Sequence, residues 1–76
     1  MINEHDLKDW IHLKAAPLYS VPKKTYVRWF DQYYFFDHLD GMYSYCTNMA
    51  GDVLHIAAAA LVVPLRKPVK GQGDEA

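Results

Sequence analysis

Imidazoles, carboxylates, a thiol and a hydroxyl crowd positions 37–55: Asp37, His38, Asp40, Ser44, Cys46 and His55. A carboxylate beside an imidazole is the elementary unit of general acid–base chemistry, and a partnered Ser or Cys would extend it to nucleophilic catalysis. Neighbours along an extended strand alternate between faces, which sends Asp37 and His38 to opposite sides. Ser44 and Cys46 fall on the next predicted strand, outside any nucleophile-elbow context. Cys46 lies between Tyr45 and Thr47, with no cation to favour the thiolate, and reads as a buried, inert thiol. The plainer reading of the whole group is hydrogen-bonded strand polar residues.

A second group, His5, Asp9 and His12, lies near the start of the chain. On a helix all three would share a face, and His5 and Asp9 sit at the i, i+4 spacing of helical ligand pairs. Zinc needs three or four good ligands, and His12 lies nearly two turns from His5. A solvated polar face accounts for this group more simply. Gly41, Gly51, Gly71 and Gly73 never stand between a strand and a helix, so no phosphate-binding loop is indicated. No metal and no cofactor is implied.

The elements that would position these residues are legible from caps, breakers and periodicity. Asn3 can cap a helix starting at Glu4, with Glu4 and Asp6 at the positive end of its dipole. Leu7, Trp10 and Ile11 recur at i, i+3, i+4, and Pro17 stops the pattern, which predicts a helix over 3–16. Thr25–Phe30 is β-branched and aromatic and predicts a strand, with Tyr26, Arg28 and Phe30 on one face and Val27 and Trp29 on the other. Tyr33–Leu39 follows after a short turn at Asp31-Gln32. Asp40-Gly41 is a hairpin signal, Met42–Thr47 returns, and Asn48–Asp52 is a longer turn around Gly51. Val53–Ala57 and Leu61–Leu65 complete the set. The four alanines Ala57–Ala60 favour a tight turn, and Pro64 suits an edge strand. This spacing predicts a mainly β (α+β) fold: a small SH3-like antiparallel barrel or half-barrel of about five strands, with the helix over one open end. One domain spans 1–66, with the β meander over 25–66 and a flexible tail over 67–76.

Size and charge exclude several classes. The chain has 76 residues, 51% of them hydrophobic, with eight Lys/Arg against nine Asp/Glu. A net charge of −1 is no footprint for nucleic acid, which calls for a basic surplus on one face. One cysteine forms no intrachain disulfide and fits a reducing cytosol. Met1–Asp6 is polar and unlike a signal peptide, and the longest apolar run, Ile56–Leu65, is far short of the ~20 residues of a membrane span. A soluble intracellular protein with no membrane partner is expected.

The aromatic density exceeds what such a core requires. Trp29, Phe30, Tyr33, Tyr34, Phe35 and Phe36 all fall within 29–36. One face of these strands can be buried and the helix can cover part of the other, leaving a remainder near Arg28. Tyr, Trp and Arg dominate protein–protein hot spots, and exposed apolar patches mark partner sites. The candidate binding residues are therefore Arg28, Trp29, Tyr33, Tyr34 and Tyr43. The same rings suit base stacking, with Lys23, Lys24, Arg28, Arg66, Lys67 and Lys70 on phosphate. That makes single-stranded nucleic acid the alternative partner.

The stretch Leu39-Asp40-Gly41-Met42-Tyr43-Ser44, followed by Cys46, Gly51, His55, Ala57–Ala60 and Val62-Val63, resembles a family of very small accessory proteins of short-tailed bacteriophages. The likeness covers roughly the C-terminal half of the folded region. Such proteins are sometimes labelled HslV-type peptidases. That activity does not carry over, because that peptidase uses a processed N-terminal threonine in a much larger fold, whereas this chain opens Met1-Ile2 with no threonine nearby. The resemblance implies a non-enzymatic protein made in the host bacterial cytoplasm, binding and inhibiting or redirecting a host protein. A monomer or weak homodimer is expected.

Overall fold

The computed structural model describes residues 2–68. Its elements in chain order are a helix α1 (Glu4–Leu7) and strands β1 (Ile11–His12), β2 (Ala16–Pro17), β3 (Thr25–Trp29), β4 (Gln32–Asp40), β5 (Tyr43–Asn48), β6 (Val53–Leu54) and β7 (Leu61–Arg66), with a 3-10 turn at Leu18–Ser20. The strands form one antiparallel sheet in the order β1-β7-β3-β4-β5-β6, with β2 also on β7. The fold is mainly β with one short helix, and the sheet is not a closed barrel. No helix among the described residues is long and apolar enough to cross a membrane.

The helix starts where the sequence places it. The Asn3 side chain accepts from the Asp6 backbone N–H, and Asp6 reaches back to the Asn3 N–H, a reciprocal capping box. It stops at Leu7, not at residue 16. One helical turn buries Leu7 fully, and the chain then turns so that Ile11 and His12 pair with Arg66 and Leu65. Ala16 and Pro17 pair with Val62 and Leu61. A twelve-residue helix is marginal by itself, and pairing with β7 satisfies the same backbone groups while docking them on the sheet. The apolar spacing of Leu7, Trp10 and Ile11 therefore belongs to a turn and a strand. The shared helical face of His5, Asp9 and His12 dissolves with it. His12 instead donates from Nδ1 to the Trp10 carbonyl (2.9 Å), with Nε2 3.4 Å from the Tyr33 hydroxyl.

The five predicted strands appear in order, with small shifts at their ends. β3 pairs with β4, β4 with β5, β5 with β6, and β7 returns to β3 through Val27↔Pro64 and Arg28↔Val63. Pro64 is thus interior to the sheet, not at an edge. Its carbonyl accepts from the Leu13 N–H at 2.9 Å. In a β-strand the N–H and C=O of one residue point the same way. The donor that proline lacks would have faced the gap where residues 13–15 leave the ladder between β1 and β2, so little pairing is lost.

The sheet buries its inner face and, under the N-terminal segment, part of its outer face. Its inner face carries Val27, Tyr34, Phe36, Cys46 and Val62, packed with Leu18, Val21 and Ile56. Its outer face carries Tyr33 and Leu65, which pack on Leu7, with Ile2, Trp10, Tyr26 and Met49 around them. Trp10 meets Tyr26 edge-on at 5.5 Å, and Tyr26 meets Phe35 at 4.9 Å. Most of the rings in 26–36 are thereby absorbed. The Ser44 hydroxyl, fully buried, donates to the Ile56 carbonyl at 2.8 Å and lies 3.2 Å from the Cys46 sulfur. The backbone of 56–60 runs on from there: Ala58 donates to Met42, Tyr19 to Ala58, and Leu18 to Ala60. Ala57–Ala60 forms the expected tight turn, closed by the Ala60 N–H on the Ala57 carbonyl at 3.0 Å. Of the tail placed over 67–76, residues 69–76 lie outside the described residues.

Two outcomes follow from this packing. Phe36→Ala removes the largest fully buried side chain and should cost about 3–5 kcal/mol, read as a lower urea midpoint at unchanged slope. Burial pushes the Cys46 thiol above its ordinary value, so a thiol-specific reagent should label it slowly in the native protein and rapidly in denaturant.

Candidate binding face on β4, β5 and β6

The register of β4 against β5 determines which side chains meet. Gly41 and Met42 form the two-residue loop, with Asp40 opposite Tyr43. Gly41 takes φ 67° at the first loop position, where a type II′ turn requires a positive angle. Moving back along β4, Leu39 faces Ser44 and His38 faces Tyr45, after which the register slips and Phe36 faces Cys46. Asp37 is therefore the extra residue of a β-bulge. The bulge overturns the alternation expected here: Asp37 and His38 lie side by side instead of on opposite faces. The Asp37 carboxylate accepts from His38 Nδ1 at 2.5 Å and from Lys24 Nζ at 2.7 Å. Lys24 first, and His38 second, hold the Asp37 carboxyl below its ordinary value of 3.8.

Two rows of side chains cross the outward side of these strands. In the first, His38 stacks on Tyr45 (4.8 Å, 27° between planes) and Tyr45 meets His55 edge-on (4.7 Å, 82°). His55 donates from Nδ1 to the Ser44 carbonyl at 2.9 Å. Because a carbonyl and a carboxylate only accept, both imidazoles carry their donor on Nδ1 and leave Nε2 for another molecule. The second row runs from Asp40 to Tyr43, which bridges to Ala57. Asp40, Tyr43, Tyr45 and His55 line an open hollow of about 400 Å³. On the other side of Tyr43, a groove of about 300 Å³ is lined by Tyr19, Met42 and Ala57–Ala59. Met42 is 80% exposed and Tyr43 57%.

The sequence-based candidate residues separate into two ends of the sheet. Tyr43 stands at the centre of the face just described. Tyr33 and Tyr34 are both 6% exposed, one under α1 and one in the inner core, and are not surface anchors. Pairing with β3 and the cover of Leu7 account for both rings. Trp29 is half-buried against the inner core, and Arg28 is ion-paired to Asp31. These two lie on β3 opposite Tyr33 and Gln32, at the far end of the β4 ladder and about 25 Å of strand from Asp40. At that far tip Phe30 and Asp31 take positive φ (50° and 61°), and Phe30 is 80% exposed against the edge of Trp29. Asp40 and His55 are singled out in the sequence only as acid–base candidates, not as binding residues, and Tyr45 on the near face is missed. Their signal is the hairpin loop, which lies one residue later than Asp40-Gly41.

The near face has little catalytic equipment. The acid–imidazole pair is real, but the Ser44 hydroxyl is spent on Ile56 and the Cys46 thiol is buried and held protonated. No three His, Cys, Asp or Glu residues gather into a metal site among the described residues.

The Lys24–Asp37–His38 chain has a measurable signature. Carboxyl-detected NMR should show Asp37 titrating below 3.8, and Lys24→Ala should move it upward, since Lys24 is the largest cause of the depression. A depressed carboxyl stabilises the fold above its unfolded value. That contribution is lost as pH falls below about 4, through the folded value. Compared with family models, with curated proteins and with solved structures, the chain matches none.

Proposed function

We propose that this is a non-enzymatic bacteriophage accessory protein of SH3-like half-barrel form, which binds a host protein in the bacterial cytoplasm and inhibits or redirects it. The observation that carries the reading is the exposed apolar and aromatic surface formed by Tyr19, Met42 and Tyr43 around the Ala57–Ala59 groove. A small domain that has absorbed most of its rings leaves these at one hairpin tip. Exposed aromatic and methionine side chains next to a groove are what a partner pocket engages. The likeness to short-tailed phage accessory proteins supports the setting. The strand order β7-β3-β4-β5-β6, with the tight turn at Ala57–Ala60 linking its two end strands in the chain, supports the half-barrel form.

Single-strand nucleic-acid binding has weaker support. Two of the cations it would use, Lys24 and Arg28, are engaged by Asp37 and Asp31. Non-enzymatic action is supported by the engaged Ser44 hydroxyl and the protonated Cys46.

The test is affinity capture from lysate of an infectable host, with wild type beside two surface variants. Met42→Asp and Tyr43→Ala should each weaken retention of the same host protein by roughly 30-fold, while circular dichroism and thermal midpoint stay at the wild-type values. Retention by both variants at wild-type strength would place the interaction elsewhere or remove it. Sedimentation at high loading separates this outcome from self-association.

A further inference from the structure

Asp40 is the odd carboxylate on its strand. Asp31, in the preceding turn, pairs with Arg28, and Asp37 pairs with Lys24 and His38. Asp40 is exposed and has no ion-pair partner among the described residues. It stands directly opposite Tyr43 and shares a hollow with Tyr43, Tyr45 and His55. Three aromatic rings and one free negative charge therefore border the same space. Two of these rings are fixed without help from a ligand: His38 lies against Tyr45, Tyr45 against His55, and His55 is tied to the Ser44 carbonyl. Such preorganisation lowers the ordering cost of binding.

We infer that the hollow bounded by Asp40, Tyr43, Tyr45 and His55 is a subsite for a cationic side chain, arginine or lysine, presented by the protein partner. Aromatic faces attract cations through their quadrupole, and arginine in particular stacks on them. Asp40 supplies the counter-charge and, for a guanidinium, two acceptor oxygens. An anionic ligand would meet the Asp40 carboxylate with no cation to offset it. A neutral apolar ligand would leave that carboxylate desolvated, and the adjoining Tyr19–Met42 groove suits it better. The hollow of about 400 Å³ takes one guanidinium or ammonium group with its stem. This subsite rests on the docking role proposed above and specifies the chemistry that the partner must offer beside its apolar contact.

The experiment is an NMR titration of the full chain, following Tyr and His ring signals, with Nα-acetyl-arginine methylamide and Nα-acetyl-lysine methylamide. Nα-acetyl-citrulline methylamide has nearly the shape of the arginine probe without its charge and serves as the control. Saturable shifts are expected for Tyr43, Tyr45 and His55 with the two cations and not with citrulline. Asp40→Asn and Tyr45→Ala should each weaken the arginine probe about two- to five-fold, the range expected of one exposed cation–ring or charge contact. Tyr45→Phe and Asp40→Glu, which keep the ring and the charge, should restore binding. Equal shifts from arginine and citrulline, or shifts confined to other residues, would overturn the subsite. Undiminished binding by Asp40→Asn would do the same. The docking role fails separately, through retention of the host protein by Met42→Asp. A chain that loses partner capture with Met42→Asp but ignores the cationic probes keeps its docking face and lacks this subsite.

Discussion

The pairing of β7 with its neighbours is the constraint on which the molecule depends. β1 and β2 have no other partner in the sheet, and α1 buries Leu7 against Leu65 of the same strand. β3 closes on it through Val27 and Arg28. Remove β7 and the segment 11–17 loses its backbone partners, the inner core loses Val62, and the outer core loses Leu65. These contacts join residues far apart in the chain, so their loop-closure entropy is met only when the last strand arrives. A small domain has little surplus apolar surface with which to offset that cost. This explains why the outer face is covered beside β7 as well as the inner one, and why most aromatic residues of 26–36 are consumed in packing.

The near face, by contrast, is held by local geometry. Exposed ion pairs such as Lys24–Asp37 contribute little stability. What they contribute is orientation: the Asp37 carboxylate fixes the His38 ring, His38 lies on Tyr45, and Tyr45 adjoins His55. Each ring in the row has its position set by a neighbour across a strand, which is how a sheet surface stays ordered with nothing packed over it. The arrangement borders a hollow on one side of Tyr43 and an apolar groove on the other, so one tyrosine serves two chemically different surfaces.

Much of the architecture was legible in the residues. β-branched and aromatic runs, the Gly51 turn and the four alanines placed five strands in their observed order, and Asn3 marked the helix start. The helix end was not legible, because Leu7, Trp10 and Ile11 satisfy helical spacing while serving a turn and a strand paired to β7. That partner is distant in sequence. The surface went wrong for two local reasons. Placing the hairpin loop at Asp40-Gly41 instead of Gly41-Met42 matches His38 to Tyr43 instead of Tyr45 and leaves Asp40 in the loop, a partner shift of two residues that keeps each side chain on its face. The bulge at Asp37 then breaks strict alternation. Together they hid the row of His38, Tyr45 and His55, while the count of rings drew the candidate site towards Tyr33 and Tyr34, which the fold needs for itself.

The surplus residue in β4 has a further meaning. Phe36 and Leu39 both belong to the inner core, and an even step between them would have been impossible with two intervening residues in a regular ladder. Doubling up Asp37 and His38 restores parity, so that Leu39 turns inward while His38 and Asp40 turn outward. A strand one residue shorter would reach the same interior without interruption. Position 37 thus answers to the strand's outward side, and the interior is indifferent to whether it exists.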